Sequence, residues 1–472
     1  MVFNSIQFLL FFVVVYGAYR LLPHRPQNWL LLAASYWFYA AWDWRFLGLL
    51  IGSTVIDYAV ARYLERTADG RRRRWAVAVS LAFNLGVLGF FKYFGFFSDN
   101  LRVLLSGIGL DVSLPMLRVL LPIGISFYTF MTMSYVIDVY RREIEPTRDF
   151  LDFAVFVAFF PHLVAGPILR ASSLIPQIAR PRRPPAAQIP AGLWLIGWGR
   201  FKKILVADNL GHIADAVFAP GASPSGPEVL IGVYAFAFQI YGDFSGYSDI
   251  AIGLSKLMGI ELSINFLFPY SVRSPQEFWR HWHISLSTWL RDYLYVPLGG
   301  NRKGRLLTYR NLMITMLLGG LWHGAAWPFV IWGAYQGSLL VVYRLAGGAL
   351  RTTRWPARLE TPAWKLAGWL LMFHLTCYGW LIFRAESATQ IGRLTAALAG
   401  GWTAAPSSEQ LWSLAFYATP LILLHGWEAR RGDLFAVPRM PLVPRYAVYV
   451  AMAYLTLLFG EFSGSQFIYF QF

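Results

Sequence analysis

Two short segments place histidines among tryptophans in a chain that is otherwise apolar: residues 278–285 contain His281 and His283, and residues 321–324 contain His323. Glycines at positions 319, 320 and 324 remove side chains around His323, which lets other backbone or a ligand approach closely. A neutral imidazole near pH 7 is a suitable general base. We therefore predict that His323 is catalytic; the alternative is a packed histidine bonded to a neighbouring helix.

The first segment offers a second histidine and several charged neighbours. His281 and His283 are two residues apart, so on one helix their side chains point in different directions. Only one of them is expected to face a cavity with the catalytic candidate. Arg280 and Arg291 lie nearby in the sequence, and the surrounding tryptophans, Trp282 among them, also fit an amphipathic element at a membrane interface. The spacing alone leaves a site and an interfacial belt equally open.

Polar residues also interrupt an apolar run at residues 241–249. Asp243 and Asp249 are six residues apart, with Ser245 between them, so the two carboxylates do not share a helical face. They could orient the catalytic histidine, line a polar tunnel, or form ion pairs with Arg280 or Lys202. The sequence contains no His-x-x-x-His pair and no close cluster of histidines and carboxylates, so we predict no metal site.

A loop at residues 297–305 combines glycines with polar and basic side chains: Asn301, Arg302 and Lys303 follow two glycines. Such a loop could hold the phosphates of a nucleotide-like donor. It matches neither a Walker motif nor a dinucleotide-binding fingerprint. An ordinary basic turn on the cytoplasmic side of a membrane explains the composition equally well.

The composition places all of these residues in a membrane protein. Hydrophobic residues make up 57% of the 472 residues and charged residues only 14%, whereas soluble domains carry roughly 25% charged residues. An ionisable side chain at membrane depth is costly, so it is a candidate functional site by default. The net charge of +16 lies in short loops between apolar runs, which favours contact with lipid headgroups over nucleic acid. Cys377 is the only cysteine, so no disulfide is expected.

Apolar runs long enough to cross a bilayer recur along the chain. They lie at 5–21, 28–41, 46–63, 76–97, 117–138, 191–207, 229–257, 366–384, 410–425 and 445–461. If every basic loop is cytoplasmic, both chain ends lie outside, and the runs at 150–168 and 309–345 must enter and leave on one side as re-entrant or hairpin elements. These two runs contain motif residues, which we expect near a central cavity. We predict a single integral membrane domain over residues 1–472.

The motifs, taken together and in order, resemble the membrane-bound O-acyltransferase family, and within it the bacterial polysaccharide O-acetyltransferases typified by alginate O-acetylase. The similarity covers nearly the whole chain. It is carried by residues 121–127, 134–141, 160–167, 201–203 with 207–209, 243–249, 278–285, 292–304 and 321–325. One departure is Met131, which follows Thr129 and Phe130 where relatives often carry a polar residue.

The resemblance implies an all-α polytopic fold, a ring of about 10 to 12 transmembrane helices with re-entrant segments around a tunnel that links a cytoplasmic donor funnel to the outer face. It implies that His323 is the invariant catalytic histidine and that His283 is the second essential polar position. Trp282, Ser285 and Trp322 flank these two histidines in the matching motifs and are candidates for lining the tunnel.

The implied activity is transfer of an acetyl group from a cytoplasmic thioester, acetyl-CoA, to hydroxyls of an exported polysaccharide. Transfer would be direct or relayed through a periplasmic partner of the SGNH hydrolase type, beside the export machinery in the bacterial inner membrane. His323 would take the hydroxyl proton, and His283 would orient the reactants or stabilise the oxyanion. Two alternatives remain: a transporter or flippase without covalent chemistry, because buried histidines and carboxylates also form proton relays, and a non-catalytic scaffold.

Overall fold

The protein is described here by a computed structural model that covers residues 1, 3–110, 120–164, 166–186, 188–350, 361–402, 405–462 and 467–468. Every regular element within these residues is an α-helix, a 3-10 helix or a π-helix, and no strand occurs among them. The predicted helical fold class is therefore confirmed. Side chains of residues 348–350 are not described.

The helices are numbered in chain order. The first ten are α1 (Ile6–Leu21), α2 (His24–Asp43), α3 (Leu47–Arg66), α4 (Gly70–Leu88), α5 (Phe94–Gly107), α6 (Ile125–Arg141), α7 (Phe150–Ala158), α8 (Phe160–Leu163), α9 (Ala171–Ile178) and α10 (Gln188–Phe201). The others are α11 (Asp208–Phe218), α12 (Gly226–Leu257), α13 (Pro275–His281), α14 (Ile284–Leu290), α15 (Arg305–His323), α16 (Trp327–Leu350), α17 (Pro362–Arg384), α18 (Ala388–Gly400), α19 (Ser408–Arg431) and α20 (Leu442–Phe459).

Short segments of different pitch join some of these helices. The 3-10 turns are Trp44–Phe46 and Pro269–Ser271, and the π-helical turns are Gly89–Tyr93, Lys202–Ala207 and Arg291–Tyr295. A π-helical turn adds one residue to the ring of each hydrogen bond and redirects the side chains that follow. Two of these turns, at 202–207 and 291–295, fall within motifs of the sequence.

Six described helical stretches are long and apolar enough to cross a membrane: His24–Arg66, Gly70–Gly107, Gly226–Leu257, Trp327–Gly347, Pro362–Arg384 and Leu442–Phe459. The first has 43 residues, about 65 Å of helix at 1.5 Å per residue, which exceeds the roughly 30 Å of hydrocarbon in a bilayer. It is in fact two helices, α2 and α3, joined by the turn at 44–46. The protein is a multi-pass membrane protein, as the composition predicts.

Each predicted span falls on a helix, with one correction. The run predicted at 117–138 begins later, because α6 starts at Ile125. Gly124 precedes it in the left-handed region, at φ 74°, and Pro122 lacks a backbone donor, so the chain cannot be helical through both positions. Residues 111–119 lie outside the described residues.

The chain divides into two compact units, Met1–Leu193 with Ala251–Ser263, and Trp194–Ile250 with Ile264–Phe472. In the first unit the segment predicted to be re-entrant, 150–168, is a broken helix: α7 ends at Ala158 and the four-residue α8 follows. A Cβ at Gly124 would lie 2.5 Å from the carbonyl oxygen of Leu163. Glycine at 124 therefore allows the motif before α6 to pack directly on the end of α8.

The second unit contains the other predicted hairpin. α15 and α16 pack along each other and are joined by three residues, 324–326. The close packing depends on glycine: a Cβ at Gly320 would lie 2.2 Å from the carbonyl oxygen of Phe329, and one at Gly333 would lie 2.4 Å from that of Met316. Small residues let membrane helices approach this closely. The helix pair holds His323, the last residue of α15, at a fixed position. The single-domain organisation and the ring around a tunnel stay predictions.

Candidate active site

His283 lies in a sharp turn between α13 and α14. Ser274 caps α13 by accepting a hydrogen bond from the backbone N–H of Glu277 at 3.2 Å, and the Glu277 carboxylate accepts one from the N–H of Arg273 at 2.9 Å. This arrangement is close to a capping box and fixes where α13 begins. The chain leaves α13 at His281 and places His283 at φ 42° and ψ 56°, in the left-handed region. Such strain in a bulky residue points to a functional constraint.

Asn265 fixes the orientation of the His283 ring. Its side-chain oxygen accepts hydrogen bonds from the Ser285 backbone N–H at 3.2 Å and the Ser285 hydroxyl at 2.9 Å, and it lies 3.2 Å from His283 Nδ1. A backbone N–H can only donate, so the Asn265 atom must be its oxygen and the contacting Nδ1 must carry a proton. The remaining nitrogen of a neutral His283, Nε2, is then an acceptor.

The protonation state of His283 follows from its burial. The side chain is completely buried, and the turn that carries it lies outside the six spanning helices. Burial lowers the pKa of His283 to about 3, because desolvation disfavours the imidazolium form. The ring is therefore neutral near pH 7.

The structure brings His323 next to His283. The two ring centroids are 6.5 Å apart, and Trp322 lies beside both, at 5.0 Å from His323 and 5.9 Å from His283. His323 is buried, with 5% of its surface exposed, and its ring meets Trp332 and Phe383 edge to face at 5.1 and 5.3 Å. His281 takes the other direction: its Nδ1 contacts the carbonyl oxygen of Leu267. Of the two neighbouring histidines, only His283 faces His323.

The glycines around His323 serve helix packing. Gly320 admits the backbone of α16, and a Cβ at Gly324 would lie 2.0 Å from the Phe329 ring. Close approach of other backbone, one of the two explanations that the sequence offers, is therefore seen at Gly320, whereas Gly324 makes room for a side chain. His323 remains at the end of a helix whose position this packing determines.

The carboxylates at 243 and 249 are paired with lysines. Asp249 lies 2.7 Å from Lys202 Nζ, and the Ser245 hydroxyl accepts from the same ammonium at 2.8 Å. Asp243 lies 3.0 Å from Lys203 Nζ. Of the options that the sequence left open, ion pairing with Lys202 is the one seen for Asp249, and Asp243 pairs with a lysine that the sequence did not single out.

Lys203 is shared by two carboxylates. Asp208 lies 2.7 Å from its Nζ, opposite Asp243, and the Lys203 side chain is 1% exposed. The π-helical turn at 202–207 lets two consecutive lysines both point into the protein. The sequence signal that could have indicated Lys203 was a pair of adjacent lysines inside an apolar run. Asn265 was missed as well; its signal was a single amide within the apolar stretch 262–268.

Trp282 belongs to an aromatic cluster that packs beside His283 and continues through Trp380 to the rings around His323. Its ring stacks on Phe278 at 5.7 Å and contacts Phe266 at 5.0 Å and Trp380 at 4.7 Å. Phe266 and Phe244 in turn contact the His283 ring, Phe244 edge to face at 4.7 Å. The cluster is a rigid aromatic wall behind the histidine.

The basic candidates lie at the surface. Arg280, Asn301, Arg302 and Lys303 are exposed, and Arg291 pairs with Asp292 at 2.7 Å. Asn301, Arg302 and Lys303 lie on one loop. Its shape depends on Gly299, Gly300 and Gly304, which all have positive φ. Asn311 donates to the Gly300 carbonyl oxygen at 3.0 Å and secures the loop to α15. A role for these side chains in binding a donor stays a prediction.

Comparison with known proteins identifies the family of this chain. The family model described as "MBOAT, membrane-bound O-acyltransferase family" matches residues 138–383. The chain is 41% identical to the probable alginate O-acetylase AlgI of Azotobacter vinelandii over all of both chains. It is 45% identical to the corresponding protein of Pseudomonas putida, covering 84% of this chain and 80% of that one. It is 37% identical to the peptidoglycan O-acetyltransferase of Helicobacter pylori, covering 82% and 75%. This chain therefore belongs to the membrane-bound O-acyltransferase family, in its alginate O-acetylase-like branch, and is an O-acyltransferase.

Proposed function

We propose that this enzyme moves an acetyl group from acetyl-CoA at the cytoplasmic face to a hydroxyl of an exported polysaccharide, with His323 and His283 as its catalytic residues. The observation that carries the proposal is the pair of buried imidazoles with centroids 6.5 Å apart. This separation lets one hydroxyl oxygen lie within hydrogen-bonding reach of a nitrogen of each ring.

His323 acts as the general base. It takes the proton of the attacking hydroxyl while the oxygen forms a bond to the thioester carbonyl carbon. The tetrahedral intermediate then breaks its bond to sulfur, and the proton held on His323 passes to the departing thiolate. The products are an acetyl ester and free thiol, so atoms and charge balance. General base catalysis of this kind contributes about 10²–10⁴-fold to the rate.

His283 orients the hydroxyl. Its Nδ1–H is directed to Asn265, so its neutral Nε2 accepts a hydrogen bond and has no proton to donate to an oxyanion. Of the two roles that the family resemblance suggests, orientation of the reactants therefore suits the geometry better than stabilisation of the oxyanion. Holding the nucleophile close to its target replaces much of the entropy cost of the reaction.

The relatives support the proposed acceptor and its location. One acts on alginate and one on peptidoglycan by name, and both polymers carry hydroxyls outside the cytoplasm. Acetyl-CoA is highly charged and does not cross a bilayer, so the donor binds from the cytoplasm, where the exposed basic side chains of the 297–305 loop suit its phosphates. We place the chain in the bacterial inner membrane with both ends outside. Transfer to the polymer is direct, or is relayed through a hydroxyl of a periplasmic partner of the SGNH type beside the polysaccharide export machinery.

Sealed vesicles of opposite orientation test the proposal. Inverted vesicles that contain the enzyme, its periplasmic partner and trapped alginate oligosaccharide should release thiol from external acetyl-CoA and accumulate acetyl ester in the lumen. Right-side-out vesicles should do neither, because external acetyl-CoA does not reach the cytoplasmic face. Equal activity in both orientations would contradict the sidedness. A transporter that carries its substrate without covalent change would release no thiol in either orientation.

Asn265 provides a test of the role of His283. Replacing Asn265 by leucine removes the acceptor for His283 Nδ1 and for Ser285, so the ring loses its fixed orientation. We expect kcat to fall about 10²-fold, the usual cost of misplacing a reacting group by about 1 Å. Asn265→Asp keeps an acceptor oxygen for His283 Nδ1 and for Ser285 and should retain more activity than the leucine variant. Steady-state thiol release at matched amounts of monodisperse protein is the measurement, and wild-type kcat in Asn265→Leu would refute the role.

A further inference from the structure

A cavity lies in the same unit as the histidine pair but is lined by neither of these two histidines. It has a volume of about 440 Å³ and lies among α12, α17, α19 and the turn at 269–271. Its walls are aromatic and aliphatic, among them Phe238, Phe373, Leu414, Ala418 and Ile422. An apolar cavity with a few placed polar groups is the usual form of a binding site for an apolar ligand. We call it the α17–α19 pocket.

The α17–α19 pocket is separate from the active site. Two of its lining residues, Tyr241 and Tyr270, contact the Trp282 ring at 6.2 and 6.3 Å. Trp282 is almost completely buried and belongs to the aromatic wall behind His283. A ligand in the pocket therefore lies on the far side of this wall from the histidines.

The mouth of the pocket is on the lipid-facing surface. Two lining residues on neighbouring helices are exposed, Trp369 of α17 at 36% and Ile422 of α19 at 50%. The apolar residues beside them, Leu370 and Leu423, are exposed as well. Because α17 is long and apolar enough to span the membrane, the medium around this mouth is hydrocarbon and not water. A lipid chain is therefore the most abundant molecule able to enter.

The inner end of the pocket disfavours an anion. There the Tyr241 hydroxyl contacts the His425 ring, 3.2 Å from Nε2. Behind this pair lies Lys202, which is bonded to Asp249. Glu428, completely buried one helical turn after His425, acts electrostatically on the same lysine and aspartate. The ammonium at this end is already paired with a carboxylate, so an uncharged ligand end suits it better than an anion.

The other end of the pocket carries a positive charge. Ser271 lines the pocket, and Arg273 follows two residues later with an exposed side chain. The Cβ of Arg273 lies 4.0 Å from the position that a Cβ on Gly368 would occupy, and Gly368 directly precedes Trp369 at the mouth. Arg273 is thus on the Trp369 side of the pocket, and its side chain is exposed there. Arginine binds phosphate through paired, charge-assisted hydrogen bonds.

We propose that the α17–α19 pocket binds one anionic phospholipid, with an acyl chain inside the pocket and its phosphate paired with Arg273. Apolar walls, a mouth on the lipid-facing surface and a basic side chain beside that mouth select this amphipathic anion. The bound lipid fills a cavity that would otherwise be empty between α12, α17 and α19.

Native mass spectrometry of the full chain in mild detergent tests the proposal. The added lipid is phosphatidylglycerol or phosphatidylcholine with identical acyl chains. In the mass spectrometer, the wild type should retain one phosphatidylglycerol molecule at an activation energy that removes all other bound lipids. Ala418→Trp fills the pocket and should retain none. Ala453→Trp, on the exposed surface of α20, is the matched control and should retain one.

A second variant separates the headgroup from the chain. Arg273→Gln should lower the preference for phosphatidylglycerol over phosphatidylcholine about tenfold, the usual loss for one charge-assisted hydrogen bond. If Ala418→Trp does not fold, Ala415→Trp replaces it, because Ala415 also lines the pocket but is exposed. An unchanged retained lipid in the folded pocket variant would overturn the proposal. If Arg273→Gln shows the same preference for phosphatidylglycerol over phosphatidylcholine as the wild type, the pairing with Arg273 is overturned.

Discussion

Replacing His323 by alanine is expected to lower the rate of acetyl transfer about 10²–10⁴-fold, the contribution of a general base. The loss should appear in kcat, because the imidazole accepts a proton only as the hydroxyl attacks the thioester. His323→Gln should be equally inactive. Glutamine keeps much of the side-chain volume between Trp332 and Phe383 but cannot take up a proton near pH 7. Thiol release from acetyl-CoA and ester formation on the acceptor are the two measurements.

A histidine elsewhere in the same unit provides the matched control. His374 lies on α17, where its Nε2 contacts the Tyr234 hydroxyl at 2.8 Å and its Nδ1 contacts the Leu370 carbonyl oxygen. These contacts are those of a structural histidine. His374→Ala should therefore keep near-wild-type kcat. Wild-type kcat in His323→Ala, or equal losses in both variants, would contradict the assignment of His323 as the base.

The largest expected effect on stability is at Lys203. Its ammonium lies 2.7 Å from Asp208 and 3.0 Å from Asp243, with the side chain almost completely buried. Lys203→Met leaves two buried carboxylates without their shared cation, which costs about 3–5 kcal/mol. We expect little monodisperse protein in detergent and a lower midpoint of thermal unfolding for what remains.

Two further variants make this prediction specific. Lys256 pairs with Glu261 in a partly exposed position, so Lys256→Met should change stability by about 1 kcal/mol or less. The triple variant Lys203→Met, Asp208→Asn, Asp243→Asn removes all three charges together and should recover much of the lost stability. A Lys203→Met protein as stable as Lys256→Met would show that the buried cation is not needed for folding.

Much of the site could be predicted from residue types and local order. His323 stands out because an ionisable residue flanked by glycines is rare in an apolar run, and the energetic cost of burying it requires a reason. The second histidine of the site could be narrowed to His281 or His283, since positions two residues apart on a helix point in different directions. Choosing between His281 and His283 required the left-handed turn at 283, which no property of the isolated residues predicts.

The partners of these residues could not be predicted in the same way. Asn265 contacts His283 only because the chain reverses direction between these two residues. The reversal directs the Asn265 side-chain oxygen at the start of α14. Lys203 meets Asp243 across forty positions of sequence, through a π-helical turn that shifts the following residues. The sequence left Arg280 and Lys202 as candidate partners for the two carboxylates and did not propose Lys203.

The sequence by itself determined that the chain is a helical membrane protein and where most of its helices lie, because the cost of exposing polar backbone to hydrocarbon leaves apolar runs few alternatives. It also determined the candidate base, since an imidazole in such surroundings is costly without a function. Only the tertiary structure decided which histidine faces His323, which tautomer it adopts, and that the glycines admit α16. These features depend on distances and angles of a few ångströms between segments far apart in the chain, which composition and spacing do not contain.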